Sequence, residues 1–305
     1  MDNNVSKNTF LDKFFKLHLK FDSIAIKYSL QQQLEYAINS YQQQHNFYVL
    51  SQSLVTLIPE KIILSRSHKT NSNKVKYRCA ICFPLASQWQ LSPLMLAKEL
   101  IQIFTSIQNC SQETSLEFEL ELIASGWIDL SLKESSLINW LGQLIAFLET
   151  TTTVNENNHL CNHNNLFSLQ YVHARCCSLL RLGEREGLIK LKASNFAVGS
   201  WNLLASCSFS GLNSQGNFFL NDESDRTLIL ELVNLVDVFA SSQSFNCFKL
   251  AENLSQTMLD FEANCRIFGR INPQLAQARL GLVALVQYFL ALLLQQLGVI
   301  PLSEL

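Results

Sequence analysis

Apolar residues recur at helical spacing from residue 167 to residue 181. Wound at about 100° per residue, Leu169, Val172, Cys176, Leu179 and Leu180 share one face, and Gln170, Ala174, Cys177 and Arg181 line another. No Pro or Gly interrupts the stretch. The pattern predicts an amphipathic helix whose apolar stripe backs onto a core and whose small-residue face carries Gln and Arg. The same spacing predicts helices over 6–20, 30–41, 135–149, 225–240, 248–268 and 275–297. Within 135–149, Leu137, Trp140, Leu141, Leu144, Ile145 and Leu148 fall on the inward side. Ser92 as N-cap and Pro93 at the first helical position open a further helix, running to about Thr105.

Period-two alternation marks strands between these helices. Leu116, Phe118, Leu120 and Leu122 alternate with acids. Segments 77–83 and 126–132 also read as strands, as does part of the Val-, Ile- and Leu-rich stretch 47–64. Asn71-Ser72-Asn73 is a turn signal, so 61–78 reads as a hairpin. That hairpin holds Lys61, Arg66, His68, Lys69, Lys74, Lys76 and Arg78 and no acid. Two readings of such a rim stand side by side: it neutralises phosphates, or it is a sheet edge guarded by lysines. The glutamine runs 31–33 and 42–44 read as solvated surface. The fold expected is an α+β domain over 1–149, a Thr-, Asn- and His-rich linker over 150–165, and an all-α helical bundle over 166–305. The loop-rich stretch 183–218 fits neither pattern.

Composition narrows the function classes. The chain has 305 residues, 48% of them hydrophobic, enough for a sizeable core. A formal charge of −2 excludes a general nucleic-acid coater but leaves room for a local basic footprint. Nine Cys without a regular framework spacing, and an N-terminus lacking an apolar core, lead us to expect reduced thiols and a cytoplasmic protein. The most apolar run, 280–294, contains Gln287 and is short for a membrane span, so a buried helix and no membrane partner are expected.

The order of residue types adds a resemblance. Gln170-Tyr171-Val172-His173-Ala174-Arg175, followed by Ser178 and Arg181, resembles the helix that opens the DALR anticodon-binding domain of arginyl-tRNA synthetases. Cys265-Arg266-Ile267-Phe268-Gly269 is similar to that domain's Cys-Arg-Val-Leu-Gly segment, and Ala278-Arg279-Leu280 through Leu297-Gly298 to its last helix. Over 30–149 the order of elements resembles the N-terminal additional domain of the same enzymes, which contacts the D-loop corner of tRNA. The matching positions are Val75-Lys76-Tyr77, Ser92-Pro93 and Gly126-Trp127-Ile128-Asp129. The family's Gly-Asp pair is lost, and Asp129 replaces an Asn, adding negative charge where RNA would lie. In the synthetases the catalytic domain separates these two parts; here only 150–165 does.

The resemblance therefore implies a non-catalytic paralogue that binds tRNA, with arginine tRNA the first candidate, or else a tRNA-like RNA. Its candidate contacts are Lys69, Lys74, Lys76, Tyr77 and Trp127 in the first domain. In the bundle they are Gln170, Tyr171, His173, Arg175, Arg181, Arg266 and Arg270. The alternatives are a protein-interaction module that has lost RNA binding and an accessory subunit of a synthetase-like protein. The family's His-x-Gly-His element is absent. Lys190-Leu191-Lys192-Ala193-Ser194 only faintly resembles its Lys-Met-Ser-Lys-Ser loop and lies on the wrong side of the motif helix. No Gly-rich phosphate loop follows a strand, so no cofactor and no adenylation are expected. His159-x-Cys161-x-His163, with His173, Cys176 and Cys177, matches no common zinc spacing, and no metal is expected.

Overall fold

Among the described residues most strands and helices form where the two periodicities place them, and two expectations are corrected. The computed structural model describes residues 21–45, 62–66, 74–110, 116–150, 166–192, 202–203, 219–241 and 244–305. Along them run α1 (Ile26–Gln44), β1 (Leu64–Arg66), β2 (Lys76–Cys79), α2 (Cys82–Trp89), α3 (Pro93–Cys110), β3 (Phe118–Ile123), β4 (Trp127–Leu132) and α4 (Glu134–Thr150). Then follow α5 (Leu166–Arg185), β5 (Leu191–Lys192), β6 (Asn202–Leu203), α6 (Glu223–Phe239), α7 (Cys247–Asn264) and α8 (Pro273–Gln296). The helix expected over 6–20, most of 47–64, the turn at 71–73 and the linker lie outside the described residues. The chain divides into two compact units, Met1–Leu137 with Phe239–Ser241 and Ile138–Val238 with Ser242–Leu305; the division falls inside α4.

The first unit holds a four-stranded antiparallel sheet in the order β1-β2-β4-β3. Leu64, Tyr77, Cys79, Phe118, Ile128, Leu130 and Leu132 are its buried apolar residues. Helix α3 packs on α1, on α2 and on β3. Gly126, at φ +106°, precedes β4, and a Cβ there would lie 2.8 Å from the Pro93 carbonyl, so only glycine lets β4 start against the first turn of α3. The first correction concerns the strand expected over 77–83. Pairing stops at Cys79, and Cys82 begins a helix. Pro84 explains this: it cannot donate to a sheet ladder but fits the first turn of a helix. The second concerns the glutamine run 31–33. Gln31 Nε2 donates to the Ile62 carbonyl at 2.9 Å and Gln33 Nε2 to that of Leu116 at 3.1 Å, so two of the three tether flanking segments to α1.

On the sheet's outer face Lys74 and the basic residues of β2 meet acids of β3 and β4. Lys76 pairs in register with Ser131, and Arg78 with Asp129. Arg78 Nε and Nη2 donate to the two oxygens of Asp129 at 2.6 and 2.8 Å, and Lys76 Nζ lies 3.0 Å from the same carboxylate. Lys74 reaches Glu119 at 3.2 Å and Lys76 reaches Glu121 at 3.3 Å. Asp129 is covered by its partners to 1% exposure.

The second unit is built on α8. It packs against α5 and α7, which also pack on each other. Residues from Ala276 to Leu294 are buried with the exception of Gln277. Among the described residues α8 is the one helix long and apolar enough to cross a membrane, yet 94% of its most apolar window is buried within the protein. Gly183 lets α5 close on α8, since a Cβ there would meet the Leu280 side chain at 2.7 Å.

A pH prediction follows from Asp129. The hydrogen bonds from Arg78 hold its carboxyl below the usual carboxylate range, against the opposing pull of burial. A depressed folded value contributes stability that is present above about pH 4 and is lost as pH falls through the folded value. Asp129→Asn should cost about 1.5–3 kcal/mol at neutral pH, as expected for hydrogen bonds to charged groups. It should also flatten the acid limb of the stability curve, measured by urea unfolding from pH 7 to pH 2. An unchanged acid limb would show that the cluster contributes nothing.

Candidate nucleic-acid interface

The candidates in the first unit divide by partner. Lys74 and Lys76 are paired with acids across the sheet. Tyr77 is buried and presents no ring to a base. Trp127 is half-exposed and meets Phe83 edge-on, with ring centroids 5.2 Å apart. Lys69 lies outside the described residues. The rim that looked purely basic along the chain is thus electrostatically balanced in space where it is described, because β3 and β4 bring Glu119, Glu121 and Asp129 to it.

In the second unit α5 has three working faces. Its apolar stripe, Leu169, Val172, Cys176, Leu179 and Leu180, is buried as the spacing predicts. The face carrying Gln170, His173 and Arg181 clasps the segment 300–304. Gln170 Nε2 donates to the Ile300 carbonyl and its Oε1 accepts from the Leu302 amide, both at 2.8 Å. Arg181 Nη2 donates to the Ser303 carbonyl at 2.8 Å, and Nη1 to Glu304 at 2.9 Å. His173 is fully buried and its Nδ1 lies 2.7 Å from the Leu302 carbonyl. A carbonyl only accepts, so Nδ1 carries the proton, and Nε2 accepts from the Gln287 amide at 2.9 Å. Gln170, His173 and Arg181 therefore have their hydrogen-bonding groups turned to the protein's own backbone and side chains.

The third face looks outward. Phe167 is 72% exposed and Tyr171, one turn on, 47% exposed. Arg175, a further turn on, donates through Nε and Nη2 to Glu262 of α7 at 2.7 and 2.6 Å. Arg266 and Arg270 are exposed in the turn between α7 and α8. That turn is held from beneath: Arg279 Nη1 donates to the Arg266 carbonyl at 2.7 Å, and the same guanidinium binds Asp225 at 3.0 and 2.9 Å and also Asp222. Sequence reasoning passed over Phe167, Glu262 and Arg279. Phe167 stands at i−4 to Tyr171, a spacing that places both rings on one side of a helix.

Among the described residues, one cluster has the ligand types for a metal. Ligand atoms of Asp222, Asp225 and Cys265 lie within 4.8 Å of one another. The Arg279 guanidinium already occupies both carboxylates, so a cation there would be repelled. Burial pushes the thiols of Cys79 and Cys82 up to about 11 and about 12, and burial with Asp225 pushes Cys265 up to about 12. Neutral buried thiols pack and do not attack.

Comparison with known proteins agrees with the helical part. Residues 169–305 match the model of the DALR anticodon binding domain. The arginine–tRNA ligase of Gloeobacter violaceus (strain ATCC 29082 / PCC 7421) is 30% identical over 146 residues, which is 45% of this chain. The match spans only 22% of that ligase's length. No solved structure matches the chain.

The buried imidazole generates the next prediction. Burial lowers the His173 value, so in the pH range below about 6.5 the unfolded chain takes up a proton that the folded bundle refuses. Stability then rises with pH, and this contribution is lost as pH falls from 7 toward 5. The protection factors of the α5 and α8 amides, corrected for the intrinsic pH dependence of exchange, should fall as pH drops over that range in the parent and change less in His173→Gln. Equal pH dependence in both would place the titration elsewhere.

Proposed function

We propose that this chain, an arginyl-tRNA synthetase-like protein with a DALR anticodon-binding domain over residues 169–305, binds tRNA through that bundle and does not charge it. The observation that carries the reading is the outward face of α5. Two aromatic rings stand exposed one turn apart on a helix whose other faces are fixed by the core and by the 300–304 segment. Unpaired bases stack on such rings, and a rigid platform loses little entropy when they do. Arg175, Arg266 and Arg270 lie on the same helix or on the pinned turn and supply cations for the phosphates. The name of the similar ligase makes arginine tRNA the first RNA to try. The sequence holds no His-x-Gly-His element, and only a short stretch separates the segment that resembles the additional domain from the DALR match, which supports a role without adenylation.

A second reading applies to the first unit. On its sheet Lys74 and Lys76 are matched by acids, so that face is better suited to a protein surface, such as that of a synthetase, than to phosphates.

Binding of an arginine tRNA transcript at low salt tests the proposal. Tyr171→Ala should weaken binding by about 1–3 kcal/mol, the range for one stacked base. The stability of that variant should stay near the parent's, because Tyr171 is half-exposed. Replacing Lys69, Lys74 and Lys76 together by Ala should cost less than Tyr171→Ala. The reverse ranking would move the interface to the sheet, and no binding by the parent would leave the protein-interaction reading. Separately, arginine-dependent ATP–pyrophosphate exchange should be absent; its presence would refute the non-catalytic assignment.

A further inference from the structure

Arg175 differs from the other arginines of α5 and its surroundings. Arg181 is part of the clasp on 300–304, and Arg279 is buried with Asp225. Arg175 donates among the described residues to Glu262 alone, with Nε and Nη2 converging on a single oxygen. The Arg175 side chain is 44% exposed and that of Glu262 23%, and Arg175 stands one turn from the exposed ring of Tyr171. Releasing it breaks no buried hydrogen bond, and exposed ion pairs are weak enough for a competing anion to displace. Glu262 reaches it from a different helix, α7, so the carboxylate stays in place when Arg175 turns away.

We propose that Glu262 is an internal counter-ion that competes with RNA phosphate for Arg175. This rests on the RNA-binding reading above and adds a regulating residue to it. In the free protein the pair presents a neutral surface beside two exposed aromatic rings, which discourages adventitious anions. An RNA that brings a phosphate to Arg175 while stacking a base on Tyr171 displaces the carboxylate; a ligand offering only one of the two does not. Glu262 therefore trades affinity for selectivity.

The experiment is a double-substitution cycle with Glu262→Gln and Arg175→Met, read as affinity for an arginine tRNA transcript at low salt, with the unfolding midpoint of each variant as the control for folding. Glu262→Gln should tighten binding about two- to five-fold, in keeping with the small worth of an exposed pair. In the Arg175→Met background the same change should gain nothing. Weaker binding by Glu262→Gln would overturn the proposal and make Glu262 a residue that positions Arg175 for RNA. An equal gain in both backgrounds would also overturn it, since the effect would then be general charge. If the parent binds and Glu262→Gln is unchanged, the counter-ion fails while the RNA reading stands. If neither protein binds, both fail.

Discussion

Burial of α8 on all sides is the constraint from which the bundle's arrangement follows. On a helix buried all round a guanidinium or an amide is costly unless its donors find acceptors, because an unpaired buried donor costs more than its hydrogen bond is worth. Arg279, near the start of α8, is met by Asp222 and Asp225 and by the Arg266 carbonyl. Gln287, about two turns further along, is met by His173 of α5, whose other nitrogen holds Leu302. Two polar groups on one apolar helix thus fix the start of α6, the α7–α8 turn, α5 and the 300–304 segment. A packing of apolar stripes alone would tolerate sliding or rotation of α5 by a turn. The Gln287–His173–Leu302 chain does not, since a one-turn slip would leave all three unpaired.

The sheet of the first unit obeys a related rule with charges. β2 contributes bases, β3 contributes acids, and β4 between them contributes one acid, so that opposite signs face each other across the ladder. Cross-strand pairs of this kind stabilise a sheet and set its register, because a slip of one residue would turn Lys76 and Arg78 into the core. The same pairing lowers what the face offers to phosphate. Asp129, which by sequence stood as a repulsive charge on an RNA surface, is in space the counter-ion of Arg78.

Helical periodicity was legible because it depends on neighbours three and four residues apart. The stripe on α5, the inward set on α4 and the buried α8 all fall where the spacing places them. What depended on distant partners was not legible. Nothing near Gln170 announces a hydrogen bond to residue 302, and nothing between 61 and 78 announces acids at 119, 121 and 129. The glutamines at 31 and 33 look like solvated surface until Ile62 and Leu116 are brought beside them. Phe167 was legible by its spacing to Tyr171, but an apolar residue at the start of a helix draws attention to the core, and only the structure turns it outward.

The distribution of chemistry around α5 bears on function. Its most polar, motif-like residues, Gln170 and His173, are buried, and the outward line Phe167, Tyr171 and Arg175 presents two rings and an arginine paired with Glu262. A surface that met ligands mainly through charge would leave cations free, and such binding would depend on salt more than on shape. Along that line Arg175 is neutralised by Glu262 and the rings are not, so stacking there meets no internal competitor. On the RNA-binding proposal, the ligand suited to this face supplies a flat, unpaired ring first and negative charge second. A single-stranded loop of RNA has both features, whereas a duplex hides its rings inside the stack and offers mainly charge.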